Sequence, residues 1–503
     1  MMNYDFIITS DRTMITNHHN NEFLGFMTTA PAIVLPELIW KWISTPKIKV
    51  DKIGRPIQAP YGLRKIEAAL LDAGFKATII DPDYIHKHLD NAKAIMIGHH
   101  DYFALASPSC EWKMLTNKEP INAKCFRKFM TKIINKIKDK KDLKIIIGGP
   151  AAWQWLYVPK LIKKYRINTI INGEGEKIIK IIAQKILNGE KLPNYIEVNS
   201  SNSPKLNEIA LIRYPSVNGL IEIMRGCPRG CKFCSVTSRP LRFYTLEMIE
   251  KELKVNNSYG INHGIIHAED VLLYGADGIK PRLEPLLKLH KLISKYYKNI
   301  SWSHLSLSSL KYAQENYKAI SKIVELIYSN NQDWIGVEVG IETGSPNLAK
   351  KIMPAKAAPY PVEKWPEIVE DAFKIMHEHK IIPAATLIIG LPNETDDDII
   401  RTIELIDRLK DYRSLIIPMF FVPMGMLKNE KWFKVSKIKN VHIELSIACL
   451  KHDLYWARDI LSKYYLKRKH EKLMNFLIKI MLYNFEVKLN KYLKEIKSSK
   501  MLH

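Results

Sequence analysis

The chemistry of this chain is concentrated in one stretch, Met224-Arg-Gly-Cys-Pro-Arg-Gly-Cys-Lys-Phe-Cys-Ser235, which spaces Cys227, Cys231 and Cys234 as C-x3-C-x2-C. Gly226, Pro228 and Gly230 keep the stretch an open loop. Three thiolates with no fourth cysteine nearby suit a metal centre that leaves one position vacant. A cubane [4Fe–4S] cluster takes four ligands, so three cysteines would leave one iron free for a small molecule. Two other readings stay open at this point. Zinc would want four protein ligands at Cys/His spacings, with His263 and His267 the nearest histidines, and an iron–sulfur cluster can also serve electron transfer alone. A disulfide framework does not fit: six cysteines in 503 residues, three of them within eight positions, are not a set of staples.

Composition bounds what surrounds that loop. The length allows about two or three domains with cores of their own, and 47% hydrophobic with 25% charged residues is globular rather than disordered. No uninterrupted run of about 18 apolar residues is present; Phe23 to Trp42 is broken by Pro31, Pro36 and Glu37 and reads as core. The start, Met1-Met-Asn-Tyr-Asp-Phe, lacks the basic-then-apolar pattern of a signal peptide. A cytoplasmic protein without membrane attachment is expected, in a compartment where thiols stay reduced. The net charge of +24, from 76 basic against 52 acidic residues, has two readings. One is a groove for RNA or another polyanion. The other is a Lys- and Ile-rich bias spread over solvated faces, as in Lys132–Lys144 and Lys463–Lys472. No RNA-binding fold signature accompanies it.

The elements that must position the cysteines alternate between strands and helices. A helix over Ala59–Gly74, strands at Lys76–Asp81, Lys93–Gly98, Leu143–Gly148 and Thr169–Asn172, and helices near Lys124–Lys138 and Lys177–Leu187 predict a parallel, doubly wound sheet. Loops at the strand ends, His99–Ser107, Gly148-Gly-Pro-Ala-Ala152 and Gly173-Glu-Gly-Glu176, are where a ligand would sit. Ser10–Thr13 and Leu24–Pro31 read as loops flanking a first strand, and Pro46–Pro60 as an irregular connection. The polar run Asn199–Pro204 marks a boundary. Beyond it, six strands with longer helices predict a partial (β/α)6 barrel of the TIM type, active at the strands' carboxyl ends. They fall at Leu220–Met224, Gly264–Asp270, Ile300–Ser308, Trp334–Gly344, Pro383–Pro392 and Leu415–Phe421. The helical patterns Glu444–Tyr464 and His470–Lys491 come after them. The expected division is 1–200, 205–428 and a C-terminal helical region 429–503 in an α/β protein. Tyr455, Trp456 and Tyr464 read as core packing first and channel lining second. Cys110, Cys125 and Cys449 are isolated and read as buried thiols.

The cysteine spacing, together with the acids and the turn downstream of it, resembles the signature of the radical S-adenosylmethionine enzymes over Leu206–Met426. Phe233 resembles their aromatic against the adenine. Glu269 and Asp270 stand where members hold the amino group or ribose of S-adenosylmethionine, and Glu342 in Gly-Ile-Glu-Thr-Gly-Ser345 matches the position that meets the ribose hydroxyls. Gly390-Leu-Pro392-Asn-Glu-Thr395 resembles the turn after their fifth strand, with Asn393 for glycine, a residue that also tolerates positive φ. Ser306 completes the expected contacts. The resemblance implies that Cys227, Cys231 and Cys234 hold a [4Fe–4S] cluster whose open iron takes S-adenosylmethionine. A ferredoxin- or flavodoxin-like one-electron reductant would then drive formation of a 5′-deoxyadenosyl radical. Residues 55–190 resemble the cobalamin-binding domain fused ahead of many such enzymes, which implies cobalamin contacts from Asp101, Tyr102, Ser107, Gly148, Gly149, Pro150, Gly173 and Glu174. The Asp-x-His-x-x-Gly motif that supplies an axial histidine is absent, and His99 and His100 are the nearby imidazoles. Together the likenesses imply a cobalamin-dependent C-methyltransferase acting on an unactivated carbon of a protein side chain or another molecule. The alternatives are a radical enzyme of other outcome, such as cyclisation or rearrangement, with a vestigial front domain, and a non-catalytic zinc or iron–sulfur RNA-binding protein.

Overall fold

The computed structural model describes residues 3–465 apart from residue 34, together with residues 472–473, 475–480, 482–484 and 486–487. Short isoleucine-rich runs set its first half. Strands β1 (Phe6–Thr9), β2 (Ala77–Ile79), β3 (Ala94–Gly98), β4 (Lys144–Gly148), β5 (Thr169–Asn172) and β6 (Tyr195–Glu197) form a parallel sheet in the order β2-β1-β3-β4-β5-β6. Strands buried on both faces read as continuous apolar runs rather than alternations. Ile7, Ile95 and Ile145 face the helix Ile121–Lys136 through Phe126, Met130 and Ile133. Phe6, Met96 and Ile146 face the helices Tyr61–Asp72 and Glu176–Leu187 through Leu70, Ile179 and Ile182. The first strand lies ahead of both loops expected to flank it. It is only four residues long and shows no alternation. Instead of a loop, Glu22–Thr29 is a short 3-10 helix.

The second half is an arc of parallel strands. β7 (Ile221–Glu222), β10 (His263–His267) and β11 (Asn299–Trp302) form one sheet, and β12 (His304–Leu305), β13 (Ile335–Glu342), β14 (Ile381–Ile389) and β15 (Leu415–Phe420) form another. Ser303 joins them, because its N–H bonds to Ile266 and its carbonyl accepts from Glu338, at 2.9 Å each. The third expected strand is thus broken at one residue while the arc continues through it. The pair β8 (Met224–Arg225) and β9 (Arg242–Phe243) was not foreseen; it is antiparallel and brackets the cysteine loop. Helices cover the outer face, and Thr395 caps the helix Asp396–Arg408 with Asp398 reciprocating.

The expected C-terminal helix runs over Asn440–Ile460 and packs against the helix Asp396–Arg408 and β15. The helix expected at His470–Lys491 lies partly outside the described residues; the described pieces are helical, and Ile478 packs with Leu24, Ile43 and Leu461. Tyr455 is exposed, Trp456 stacks near Arg413, and Tyr464 reaches the central cavity beside Trp334. No helix among the described residues is long and apolar enough to cross a membrane.

One buried histidine ties this packing to pH. His290 is fully buried, with Nδ1 2.8 Å from the Leu286 carbonyl and Nε2 3.2 Å from the Trp302 indole nitrogen. The indole can only donate, so Nε2 accepts and Nδ1 carries the proton, which fixes a neutral ring. Burial holds this imidazole down at about 4, against 6.5 in the unfolded chain. A depressed imidazole stabilises the fold above 6.5 and loses that contribution as pH falls toward 4. The stability gap between wild type and His290→Gln should therefore narrow by about 2 kcal/mol between pH 6.5 and pH 5. Denaturant midpoints at the two pH values measure it.

Candidate radical and cofactor site

The cysteine loop leaves β8 and returns at β9, and backbone contacts hold it from three sides. Lys232 N–H donates to the Ile352 carbonyl at 2.9 Å, Met426 N–H donates to the Lys232 carbonyl at 2.8 Å, and Cys234 N–H closes a turn onto Cys231 at 3.1 Å. Gly425, at φ +58°, comes so close that a Cβ would sit 2.6 Å from the Cys234 carbonyl oxygen. Within the loop Arg229 is buried. It donates to the carbonyls of Ala355, Lys356 and Ala358 and to Ser309. Among the described residues no three His, Cys, Asp or Glu converge on a point that would hold a single metal ion. A cubane asks for something else, since each thiolate binds a different iron. Burial pushes the Cys227 thiol up to about 12 and raises Cys231 and Cys234. Such thiols ionise against the positive charge that a metal supplies.

The acids expected around that loop divide into two groups. Glu269 is mostly buried, and its Oε2 has no hydrogen-bond partner among the described residues; burial raises its carboxyl against the pull of Arg239, 3.8 Å away. An orphaned carboxylate oxygen at this place fits a ligand ammonium, which a bound S-adenosylmethionine carries. Asp270 is already engaged. It caps the turn Val271–Leu273 through the Leu272 N–H, accepts from Ser309 at 2.7 Å and lies 3.8 Å from Arg229. Ser306 is buried at the start of the helix Leu307–Tyr317, with its hydroxyl 3.0 Å from that of Ser308.

Glu342 sits at a register slip in β13 between Gly340 and Glu342, with φ at +63°. This left-handed conformation is costly for a non-glycine residue and is characteristic of functional sites. Its carboxylate pairs with Lys356 at 2.5 Å and accepts from Thr386 at 3.3 Å. Lys356 also lies 5.9 Å from the Phe233 ring and faces Cys231 and Cys234. A Cβ at Gly340 would run into both members of the pair. Asn393 has φ +65°, as its turn requires. Gly390 donates its N–H to Glu394 at 2.8 Å and packs against Phe433. Pro392 lines a small depression on the outer side of the cysteine loop.

Between the carboxyl ends of the first sheet and the cysteine loop lies a cavity of about 1880 Å³. Gly98–Asp101, Ser107, Gly148–Pro150 and Gly173–Glu176 line one side; Cys234, His267, His304, Glu338 and Pro423–Met426 line the other. Phe233, Glu269, Asp270, Ser306 and Glu342 stand behind this wall rather than on it. His267 is held near 4 by burial and by His304, whose own ring is raised because Glu338, 2.9 Å away, outweighs the burial. His100 is exposed to the cavity and is held at about 4 by desolvation there, with His99 and His267 adding to it.

Several expected cobalamin contacts have other work. Tyr102 is fully buried against Phe126 and Trp155 and donates to the Gly148 carbonyl at 2.7 Å, so it belongs to the core and not to the cavity wall. Asp101 accepts from Leu105, Ala106, Asn122 and Gln154. Ser107 donates to the Phe420 carbonyl at 3.2 Å. Side chains at Gly149 or Gly173 would strike His99 or Val198, so these two positions on the cavity wall have no room for a Cβ, whereas Gly148 borders open space. Glu174 accepts from Arg242 at 2.6 and 2.8 Å and lies 3.3 Å from Arg225, which also holds Glu176 at 2.6 Å and Glu222 at 2.8 Å. Burial would raise the Glu222 carboxyl, but Arg225 holds it at about 2. The Gly-Glu-Gly-Glu loop is thus an anchor for the strand pair that carries the cysteines. Arg225, Arg242, Lys356, His304 and Glu338 were not singled out from sequence, and His267 was named only as a candidate zinc ligand. The basic residues flanking the cysteines were the available signal for the first two.

Residues 221–406 match the family model of the radical SAM superfamily. Residues 221–406, just over a third of the chain, are thus similar to that superfamily. That match implies a [4Fe–4S] cluster, S-adenosylmethionine and a reductant. The chain is 24% identical over 361 residues to the uncharacterized protein MJ1620 of Methanocaldococcus jannaschii, covering 59% of this chain and 66%, just under two thirds, of that one. It is 21% identical over 414 residues to threonylcarbamoyladenosine tRNA methylthiotransferase MtaB of Thermotoga maritima, covering 78% and 86% of the two chains. To ribosomal protein uS12 methylthiotransferase RimO of Petrotoga mobilis it is 25% identical over 280 residues, covering 54% and 58%. Among solved structures, the radical S-adenosylmethionine methyltransferase TsrM of Kitasatospora setae, with cobalamin and a [4Fe–4S] cluster bound, superposes with a TM-score of 0.52 at 13% identity. The superposition covers 84% of this chain and 73% of TsrM. That likeness shows the fold, an α/β architecture with a parallel sheet ahead of an arc of parallel strands, which is the fold class expected from sequence.

Proposed function

We propose that this radical SAM protein is a cobalamin-dependent C-methyltransferase. The observation that carries the reading is the cavity between the strand ends of the first sheet and the cysteine loop, which Cys234 borders and which leaves room for a corrin and a substrate beside the cluster. When bound, the cluster with S-adenosylmethionine supplies a 5′-deoxyadenosyl radical, and cobalamin supplies a transferable methyl group. In this reading Cys227, Cys231 and Cys234 hold three irons, Glu269 accepts from the ammonium group, and Phe233, Glu342 and Lys356 seat the nucleoside. Gly148, Gly149, Pro150 and Gly173 border the corrin side. His267, His304 and Glu338 present a polar wall, which favours a substrate with hydrogen-bonding groups over a lipid. The division into 1–200, 205–428 and 429–503, and a reducing, cytoplasmic location for the six free cysteines, belong to the same proposal.

A second reading, sulfur insertion, is favoured by the names of the relatives MtaB and RimO. Against it, the first 200 residues hold only Cys110 and Cys125, and Cys110 is buried beside Glu111. Anaerobically reconstituted protein should bind hydroxocobalamin one to one and add a methyl group from deuterated S-adenosylmethionine to a component of cell extract. A product gaining sulfur, or no cobalamin uptake, would overturn methyl transfer. Gly340→Ala should weaken S-adenosylmethionine binding by about tenfold or more, because the added methyl displaces the Glu342–Lys356 pair; a shift of that size corresponds to about 1.4 kcal/mol. Iron content should stay unchanged, which equilibrium binding and metal analysis read separately.

A further inference from the structure

The cysteine loop has an outer face as well as the one turned to the cavity. On it lies a depression of about 350 Å³ lined by Lys232, Lys350, Lys351, Ile352, Pro392, Asn393, Leu427 and Glu430, none of which borders the large cavity. Lys232 is the residue between Cys231 and Phe233, and its side chain is exposed. Its own peptide carries the hydrogen bonds to Ile352 and Met426 that fix the loop. Lys350 and Lys351 end the short helix Pro346–Ile352 beside it; Lys350 pairs with exposed Glu363 at 3.0 Å, and Lys232 makes no salt bridge among the described residues. The chain that crosses the loop continues as residues 428–439, which hold five lysines and one glutamate. Met426, at its start, is 62% exposed. The floor is apolar, the rim carries three lysines against Glu430 and so has a net positive charge, and the covalent path from Lys232 to two of the three cysteines is a single residue or two.

We propose that this depression is the docking site of the one-electron donor, an acidic carrier protein that delivers its electron through the Lys232 side of the loop. The inference rests on the cluster reading above. A substrate has to enter the cavity to react, so a polyanionic substrate lodged on the outer face would present its atoms to the wrong side. An electron carrier has no such requirement. It needs proximity to the cluster and a complementary charge, and a lysine rim around an apolar floor supplies both the steering and the contact.

The test uses full-length, reconstituted protein and its Lys350→Glu/Lys351→Glu double variant, which leaves the cysteine loop unaltered. Cluster reduction is followed by electron paramagnetic resonance and stopped-flow absorbance, with photoreduced flavodoxin or with dithionite as donor. The expected result is that flavodoxin reduces the variant at least about tenfold more slowly at low ionic strength, the difference fading at high salt, while dithionite reduces both proteins equally. Equal rates with flavodoxin would overturn the proposal. So would a variant that keeps its flavodoxin rate but loses affinity for tRNA, which would assign the patch to RNA. No dithionite-reducible signal in either protein would overturn the cluster reading and the docking site with it.

Discussion

Cys231→Ala is expected to leave a folded protein that takes up no intact cluster and forms 5′-deoxyadenosine at least about a thousandfold more slowly than wild type, because residues that act as one unit fail together. The fold should survive. Cys231 is buried in the central core, but the loop around it is held by backbone bonds that do not involve its sulfur: Lys232 to Ile352 and Met426 to Lys232. Losing one buried sulfur atom costs roughly 1 kcal/mol, well within the margin of a native domain. Iron and sulfide content, the cluster's resonance signal and the denaturation midpoint together separate the two effects. Cys110→Ala serves as the control, because Cys110 faces Glu111 and Ser107 in the first half and not the loop. It should retain iron and activity.

Arg225→Met should be the most destabilising single change, by about 3–5 kcal/mol, since it strips the cation from a buried group of three carboxylates. Glu174 keeps Arg242, and Glu222 keeps the Tyr244 hydroxyl at 2.5 Å, but Glu176 loses its charged partner. Arg225→Lys should rescue only in part, because one ammonium cannot reproduce the fan of contacts from Nε, Nη1 and Nη2. The pH dependence has a defined sign. Arg225 depresses Glu222 from 4.5 to about 2 and lowers Glu176 as well. Depressed carboxyls stabilise the fold above their unfolded value and lose that contribution as pH falls toward the folded one. The gap between wild type and Arg225→Met is therefore full at pH 7 and shrinks between about pH 4.5 and 2. The variant should also loosen the cavity, since the same arginine ties the first sheet to the cysteine-bearing strands.

How much of this was legible in sequence depended on how local the signal was. The cysteines, the Asn393 turn and Glu342 are each written in a few adjacent residues, and the strand–helix alternation gave the α/β architecture. Asn393 takes the positive φ its turn type demands. What escaped was set by pairing across distance. Arg225 meets Glu174 and Glu176 from about fifty positions away, and nothing near either end announces the partner. The Gly-Glu-Gly-Glu loop therefore read as a ligand loop when its acids are inter-sheet anchors. Tyr102 read as a contact because it comes just after a strand end, yet its ring turns inward onto Phe126 and Trp155. Lys356 was missed for a different reason. A lone lysine in a basic chain looks like solvated surface, and only the close approach over Gly340 shows it beside Glu342.

The most direct test of the central claim is to incubate anaerobically reconstituted protein with dithionite and S-adenosylmethionine and to quantify 5′-deoxyadenosine and methionine, with the cluster's resonance spectrum recorded before and after the addition. Under the proposed function both products form, the spectrum shifts when S-adenosylmethionine is added, and Cys227→Ala, Cys231→Ala and Cys234→Ala each abolish all of it. Zinc in place of iron, or a cluster whose spectrum ignores S-adenosylmethionine and yields no 5′-deoxyadenosine, would contradict it.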